Sequence, residues 1–341
     1  MIIRTMNIFD ANSSRPSLLA TAGKGRQDKP EWPSVDIYIG DPDCREYDQR
    51  SSDGQSAIFL PLPYQWRRHA AIAAADLQKY ALLIADLLIR RLPAWAGGIA
   101  HFDNLVWGPL AHRLKSALNM TIVCEYDGII GPGSNIPASM LSVADRIICS
   151  SRVAMGHLLS LHPALADRSL VVYNPPPFPE KAATGTRSSW GLAKDDYLVV
   201  FNKKLVPPRY EMGPALDIFQ NYTPPSARLF VLNETEAGDY TSFVKKSAWP
   251  RINLIGAITD EDAMDLYSIA DKVIIPVPTE DNFLRILSLR QQQIPFVFDH
   301  DAGENPWLEE SMQTDPELFS RTTAAERLSA VYRQAATTSI H

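Results

Sequence analysis

Three places in this 341-residue chain gather side chains able to do chemistry. Lys203, Lys204 and Arg209 follow directly on an apolar run that reads as a strand, where cationic side chains can balance the charge of a diphosphate. The plain alternative is a solvated basic turn, since surface charge is common. Glu280, Asp281 and Asn282 sit between a buried strand-like run (272–276) and a helix. The N–H groups of Asn282, Phe283 and Leu284 at that helix start can take a phosphate while Glu280 contacts the rest of the ligand. Capping of the helix by Glu280 and Asp281 is compatible with that role. Glu125 and Asp127 close the apolar run 120–124. A carboxylate at a strand end can orient a hydroxyl or act as a base, or merely cap a turn.

The elements that must position these groups alternate along the chain. Strand-like runs lie at 34–39, 57–62, 98–102, 120–124, 145–149, 169–173, 197–202, 227–233, 252–255, 272–276 and 295–299, and the opening IIRTMNIF is a further candidate. Helical spacing occupies 71–92, 105–118, 136–143, 153–161, 212–221, 240–247, the stretch from Thr259, and 315–335. Pro109 is tolerable only near a helix start, and Asn119 ends that helix. Residues 45–55 read as a polar stretch. NPPPFPEKAATGTR, from Asn174 to Arg187, is Pro-rich and then small and polar, as a linker is. Alternation of strand and helix on both sides of it predicts an α/β protein with a parallel sheet in each half. The expected division is 1–176, a linker at 177–190, and 191–341 with its C-terminal helical segment included.

Composition narrows the classes of function. A net charge of −6 argues against a protein whose main task is nucleic-acid binding. The three cysteines, Cys44, Cys124 and Cys149, lack metal-ligand spacing; the latter two lie in apolar runs and read as buried thiols, which fits a cytoplasmic protein. No His/Cys/Asp cluster has metal spacing, so no metal is expected. The N-terminus has no signal-peptide core, and no run reaches the ~18 apolar residues that mark a membrane span. Ser150 and Ser151 have no base patterned nearby, which argues against a serine nucleophile.

Several segments in order resemble a known family. "ADRIICSS", a helix and "SLVVYNPPPF" resemble the end of the first domain in retaining glycosyltransferases of the GT-B fold, family 4. "YLVVFNKKLVPPRYEMGPALDIF" is similar to that family's "vvGRLvpeKG" segment, and "INLIGAITDEDAMDLYSIADKVIIPVPTEDNF" to the stretch ending in its "PS-x-x-E-x-F". The resemblance spans about 145–300, extends weakly over 98–130 and is absent from 1–95. It implies two Rossmann-like domains with parallel sheets facing a cleft, the first for the acceptor and the second for the donor.

Carried over residue by residue, the resemblance places Lys204 and Arg209 at the donor phosphates, with the family's arginine and lysine exchanged. It places Glu280 at the sugar, Asn282, Phe283 and Leu284 at the distal phosphate, and Gly256, Ile258 and Ser288 at the nucleotide. Ser288 stands where the family has a second glutamate that grips the ribose, so half of a two-carboxylate grip is altered. Glu125 and Asp127 align loosely with a strand-end pair of the first domain. His101, in "IAHFDN", resembles a strand-end histidine on the acceptor side, with a structural role as its alternative. The implied activity is metal-independent transfer of a sugar, with retention, from a UDP- or GDP-linked donor to an acceptor hydroxyl. No cofactor is implied beyond that co-substrate. The acceptor stays open between lipid-linked and polysaccharide classes. Peripheral contact with the inner membrane face is compatible with Arg67-Arg68 and Arg90-Arg91 beside a helix. The competing expectation is a degenerate GT-B protein that serves as partner or scaffold of another transferase; Ser288 and the Gln291–Gln293 run favour it.

Overall fold

The fold is that of a computed structural model. The structure describes residues 2–7, 34–39, 48–52, 55–60, 74–103, 105–126, 138–174, 186–202, 212–233, 248–275, 286–287, 289–290, 292–299 and 305–338. The chain divides into two compact units: Met1–Pro175 together with Glu317–His341, and Pro176–Pro316.

The first unit holds an eight-stranded sheet. In chain order its described elements are β1 (Ile2–Asn7), β2 (Ser34–Ile39), β3 (Asp48–Ser52), β4 (Gln55–Leu60), α1 (Ala74–Arg91), β5 (Ile99–Phe102), α2 (Gly108–Leu118), β6 (Thr121–Tyr126), α3 (Ala138–Val143), β7 (Arg146–Cys149), α4 (Arg152–Leu161) and β8 (Ser169–Val171). The spatial order is β3-β4-β2-β1-β5-β6-β7-β8. All pairs are parallel except β3 with β4, where Ser52 opposes Gln55 across a tight hairpin. The polar stretch expected over 45–55 is therefore partly a strand. DQRSS has neither apolar alternation nor β-branched residues, so nothing in its pattern announces the pairing.

Local chemistry sets the helix ends. A 3₁₀ turn, Leu105–Trp107, precedes α2, and Pro109 falls in the helix's first turn, where no N–H is missed. Asn119 closes α2 in the left-handed region at φ 49°. A Cβ on Gly108 would stand 2.8 Å from the Met140 amide, so this close approach of α2 to α3 needs glycine. Ser151 is buried and caps α4, its Oγ accepting from the Ala154 N–H at 2.9 Å. Its hydroxyl is thus a structural one.

The second unit holds a five-stranded, wholly parallel sheet. Its elements are β9 (Leu198–Asn202), α5 (Gly213–Tyr222), β10 (Arg228–Leu232), β11 (Ile252–Ile255), α6 (Asp260–Ile269), β12 (Lys272–Ile275), β13 (Phe296–Phe298) and α7 (Pro306–Gln313). The order is β11-β10-β9-β12-β13. Strand alternation sorts the core onto two faces. Leu198, Val200, Phe230, Leu232, Val273 and Ile275 pack with Met264 and Tyr267 of α6. Val199, Phe201, Leu229, Val231 and Ile274 pack with Ala215, Leu216 and Phe219 of α5. Every one of these strand residues is buried, the continuous apolar run expected of a parallel sheet covered on both sides. The helix expected over 240–247 lies outside the described residues.

The last helix, α8 (Arg321–Thr338), corrects the expected division at 191–341. Its Ala324, Leu328, Val331, Tyr332 and Ala335 pack on Ile99, Val123, Ile148 and Val172 of the first unit. The reason is its apolar stripe at i, i+4, i+7, i+8 and i+11, which covers the sheet face left open by β5–β8. Sequence spacing shows the stripe but not which sheet it will cover.

Both sheets share one device. Asp145 precedes β7 and Asp271 precedes β12. The Asp145 carboxylate accepts from the Ile122 N–H of β6 at 2.8 Å and from Lys115 Nζ at 2.7 Å. The Asp271 carboxylate accepts from the Leu198 N–H of β9 at 2.8 Å and from an Arg187 guanidinium nitrogen at 2.8 Å. In return the Asp145 N–H donates to Ile122 and the Asp271 N–H to Leu198. The "AD" dipeptides that carry much of the family resemblance thus fix neighbouring strands in register. Between the strands of the first unit, burial pushes the Cys149 thiol up to about 12 and raises the Cys124 thiol further. Both stay neutral and inert, in keeping with buried thiols.

Candidate functional site

In the second unit the first strand, β9, lies in the middle. Two strands follow on one side of it and two on the other. Chain order therefore reverses between β9 and β12. In an open parallel sheet, ligands bind outside the carboxyl ends of the strands at such a reversal, because the helices leave in opposite directions there and open a crevice. Lys203, Lys204 and Arg209 come after the end of β9, and Glu280 through Leu284 come after the end of β12. These residues, with Ser288, lie outside the described residues. What the structure supplies is that the two strands leading into them are neighbours, paired Lys272 to Val199, Val273 to Val200 and Ile274 to Phe201.

The same edge carries a chain of neutral hydrogen bonds. Asn202 ends β9 and is 3% exposed; Tyr267 of α6 is 1% exposed. Asn202 Nδ2 donates to the Tyr267 hydroxyl at 2.7 Å. Asn202 Oδ1 accepts from Asn233 Nδ2, just past β10, at 2.9 Å. Asn233 Oδ1 accepts from the Ile258 N–H at 3.4 Å. Asn233 stands in the left-handed region at φ 59°, which asparagine tolerates better than other residues with a side chain. Gly256 and Ile258 lie in the short segment between β11 and α6, both half-buried, and the Ile258 side chain packs on the α6-side core. That segment ends in Thr259, whose Oγ1 caps α6 by accepting from the Asp262 N–H at 3.0 Å. Asp299, buried, follows β13 at the same edge.

Sequence reasoning named Gly256 and Ile258 but passed over Asn202, Asn233, Tyr267 and Asp299. Strand-end asparagines after apolar runs were the available signal. A residue at the end of a buried strand has its side chain at the sheet edge, and a carboxamide there needs partners.

In the first unit, His101 and Glu125 come together under α8. His101 is fully buried; its Nδ1 is 2.7 Å from the Tyr332 hydroxyl and its Nε2 3.4 Å from Glu125 Oε1. Alternation places Ile99 and His101, and Val123 and Glu125, on the face that α8 covers. His101 therefore meets protein on both ring nitrogens. Glu125 keeps 11% of its side chain open to solvent, so it can reach a ligand where the histidine cannot. Asp127 lies outside the described residues. On the other face Tyr126 bonds to His157, hydroxyl to Nδ1, at 2.7 Å, so His157 is half-buried and bonded rather than solvent-facing. Among the described residues no group of three or more His, Cys, Asp or Glu is arranged to hold a metal ion, and no helix is long and apolar enough to cross a membrane.

No protein-family model matches the sequence, and no curated protein sequence matches it. Solved structures do. Sucrose-phosphate synthase from Thermosynechococcus elongatus is similar over 99% of this chain and 99% of its own, at 14% identity and a TM-score of 0.62. A trehalose-6-phosphate protein from E. coli, bound with UDP-2-fluoro glucose, is similar over 99% of this chain and 98% of its own, at 11% identity and a TM-score of 0.61. The catalytic domain of starch synthase IV from Arabidopsis thaliana, bound to ADP and acarbose, is similar over 98% of each chain, at 12% identity and a TM-score of 0.61. At these identities the likeness establishes the fold, which is the GT-B fold of glycosyltransferases.

Proposed function

We propose that this protein is a glycosyltransferase that moves a sugar from a nucleotide-sugar donor to an acceptor hydroxyl with retention of configuration. The observation that carries the reading is the reversal of strand order between β9 and β12. Lys204 and Arg209 follow one of these strands in the sequence and Glu280 follows the other, so this reading assigns the cations and the carboxylate to one crevice. Full-length similarity to proteins whose structures hold UDP-2-fluoro glucose or ADP favours a nucleotide-linked donor.

Each residue has a chemical part. Departure of a nucleoside diphosphate builds negative charge, which Lys204 and Arg209 neutralise. The amides of Asn282, Phe283 and Leu284 hold the distal phosphate at a helix start. Glu280 fixes the sugar hydroxyls. Gly256 and Ile258 face the nucleotide, and Ser288 offers it a single neutral hydrogen bond where the related family has a carboxylate. On the acceptor side, Glu125 and Asp127 orient the incoming hydroxyl, and His101 holds Glu125 in place from beneath. The donor base is drawn from UDP, ADP or GDP, and the acceptor is a hydroxyl of a lipid-linked sugar or a polysaccharide, reached from the cytoplasm.

The test is transfer or slow donor hydrolysis with a panel of UDP-, ADP- and GDP-sugars. Lys204→Ala and Arg209→Ala are each expected to lower kcat by about 100-fold or more, the usual loss when a group serving the departing charge is removed. Unchanged turnover in both variants with the active donor overturns this assignment.

A further inference from the structure

We infer that Asn233 is a positioning residue for the donor nucleotide, acting through a relay that runs from Tyr267 through Asn202 to the amide of Ile258. The inference rests on the donor reading above and deepens it.

The relay starts in the core and ends at the surface. Tyr267 and Asn202 are buried, whereas Asn233 and Ile258 are half-buried. It ties together four pieces of chain that would otherwise meet only at their edges: α6, the end of β9, the end of β10 and the segment after β11. Each carboxamide has its direction fixed. Turning over the Asn202 amide would set its NH₂ against the NH₂ of Asn233, and turning over Asn233 would set NH₂ against the Ile258 N–H. A buried neutral network with every orientation forced specifies one geometry of the groups it joins, in a way apolar packing at the same place would not.

Backbone conformation alone does not account for Asn233. Glycine is the residue that meets φ 59° at least cost. Asparagine adds a carboxamide, and both ends of it are used. The last bond, to Ile258, is the longest of the three at 3.4 Å. That bond joins the relay to the segment from Gly256 to Ile258. Because that segment is the one assigned to the nucleotide, loss of the relay should weaken nucleotide binding without touching the reacting atoms.

Asn233→Gly separates the two roles. It keeps the left-handed backbone and removes the carboxamide. The full-length protein and the variant are compared by titration with UDP, ADP and GDP, by thermal melting, and by steady-state kinetics with the sugar nucleotide of the best binder. The expected result is a Kd about 10-fold higher, a donor KM raised to match, kcat at saturation within about 2-fold, and a melting temperature close to wild type. Tyr267→Phe, which leaves the carboxamides but removes the buried end of the relay, is expected to raise Kd by about 3-fold. Unchanged Kd in Asn233→Gly overturns the inference while leaving the donor reading intact. A fall in kcat with Kd unchanged also overturns it. If wild-type protein binds none of the three nucleotides, the donor reading fails and the inference falls with it.

Discussion

Among the described residues each unit carries a polar network rooted in its core, and the two networks join different things. In the first unit His101, Tyr332 and Glu125 join a sheet to a helix 231 residues away in sequence. His101 and Glu125 lie under α8, and Tyr332 is part of it. In the second unit Asn202, Asn233 and Tyr267 join neighbouring strand ends to a short segment of backbone. Carboxamides do not titrate, and the relay ends half open to solvent. The first network holds a distant helix in place. The second holds the segment from Gly256 to Ile258 against the ends of β9 and β10. Where the units agree, in the clamps made by Asp145 and Asp271, the shared feature serves the sheet; where they differ, one network reaches a distant helix and the other a segment beside its own strands.

The strongest way to break this contrast is to remove α8. Ending the chain at Ser320 strips the cover from Ile99, Val123, Ile148 and Val172 and takes Tyr332 from His101. Loss of a whole packed face exceeds typical domain stability, so the first unit is expected to lose its fold while 186–299 keeps its hydrogen-exchange protection. Protection lost equally in both units would show that the division is not a division of stability. Next in size, His101→Ala leaves a buried tyrosine hydroxyl and a largely buried carboxylate without their shared partner. A cost of about 3 kcal/mol is expected in denaturant unfolding, with the Kd for nucleotide unchanged. A variant that instead lost nucleotide affinity would erase the distinction between the two networks. The smallest effect concerns the shared clamps. Asp145→Ala and Asp271→Ala each delete one carboxylate that serves a strand N–H and a cation, so each is expected to cost about 2 kcal/mol, equal within about 1. Clearly unequal costs would mean that the clamps are alike in geometry only.

Much of this architecture was legible in the residues. Eleven-odd apolar runs alternating with helical spacing fixed the α/β class, and runs such as 34–39 and 252–255 became strands with the same bounds. Thr259 announced a helix start by its type and became the cap of α6. The misses have physical causes. β3 escaped notice because its residues are polar and it pairs only at the edge of the sheet, antiparallel to β4. α8 returned to the first unit because its stripe is complementary to an open sheet face, and complementarity between distant segments is not written in local spacing. The candidate site divided in the same way. Charged residues after strands were visible at once. The relay was not, because Asn202, Asn233 and Tyr267 are 31 to 65 residues apart and come together only when the strands take their order. His101 was readable as a strand-end histidine, but its burial depended on the helix that covers it.

The return of α8 has a consequence for synthesis. A chain leaving the ribosome emerges from its N-terminus, yet the first unit lacks a wall until its last twenty-odd residues appear. The second unit is contiguous and finishes sooner. The half that is translated first therefore cannot complete its packing until residues 317–341 have appeared, and until then its β5–β8 face has no α8 to cover it.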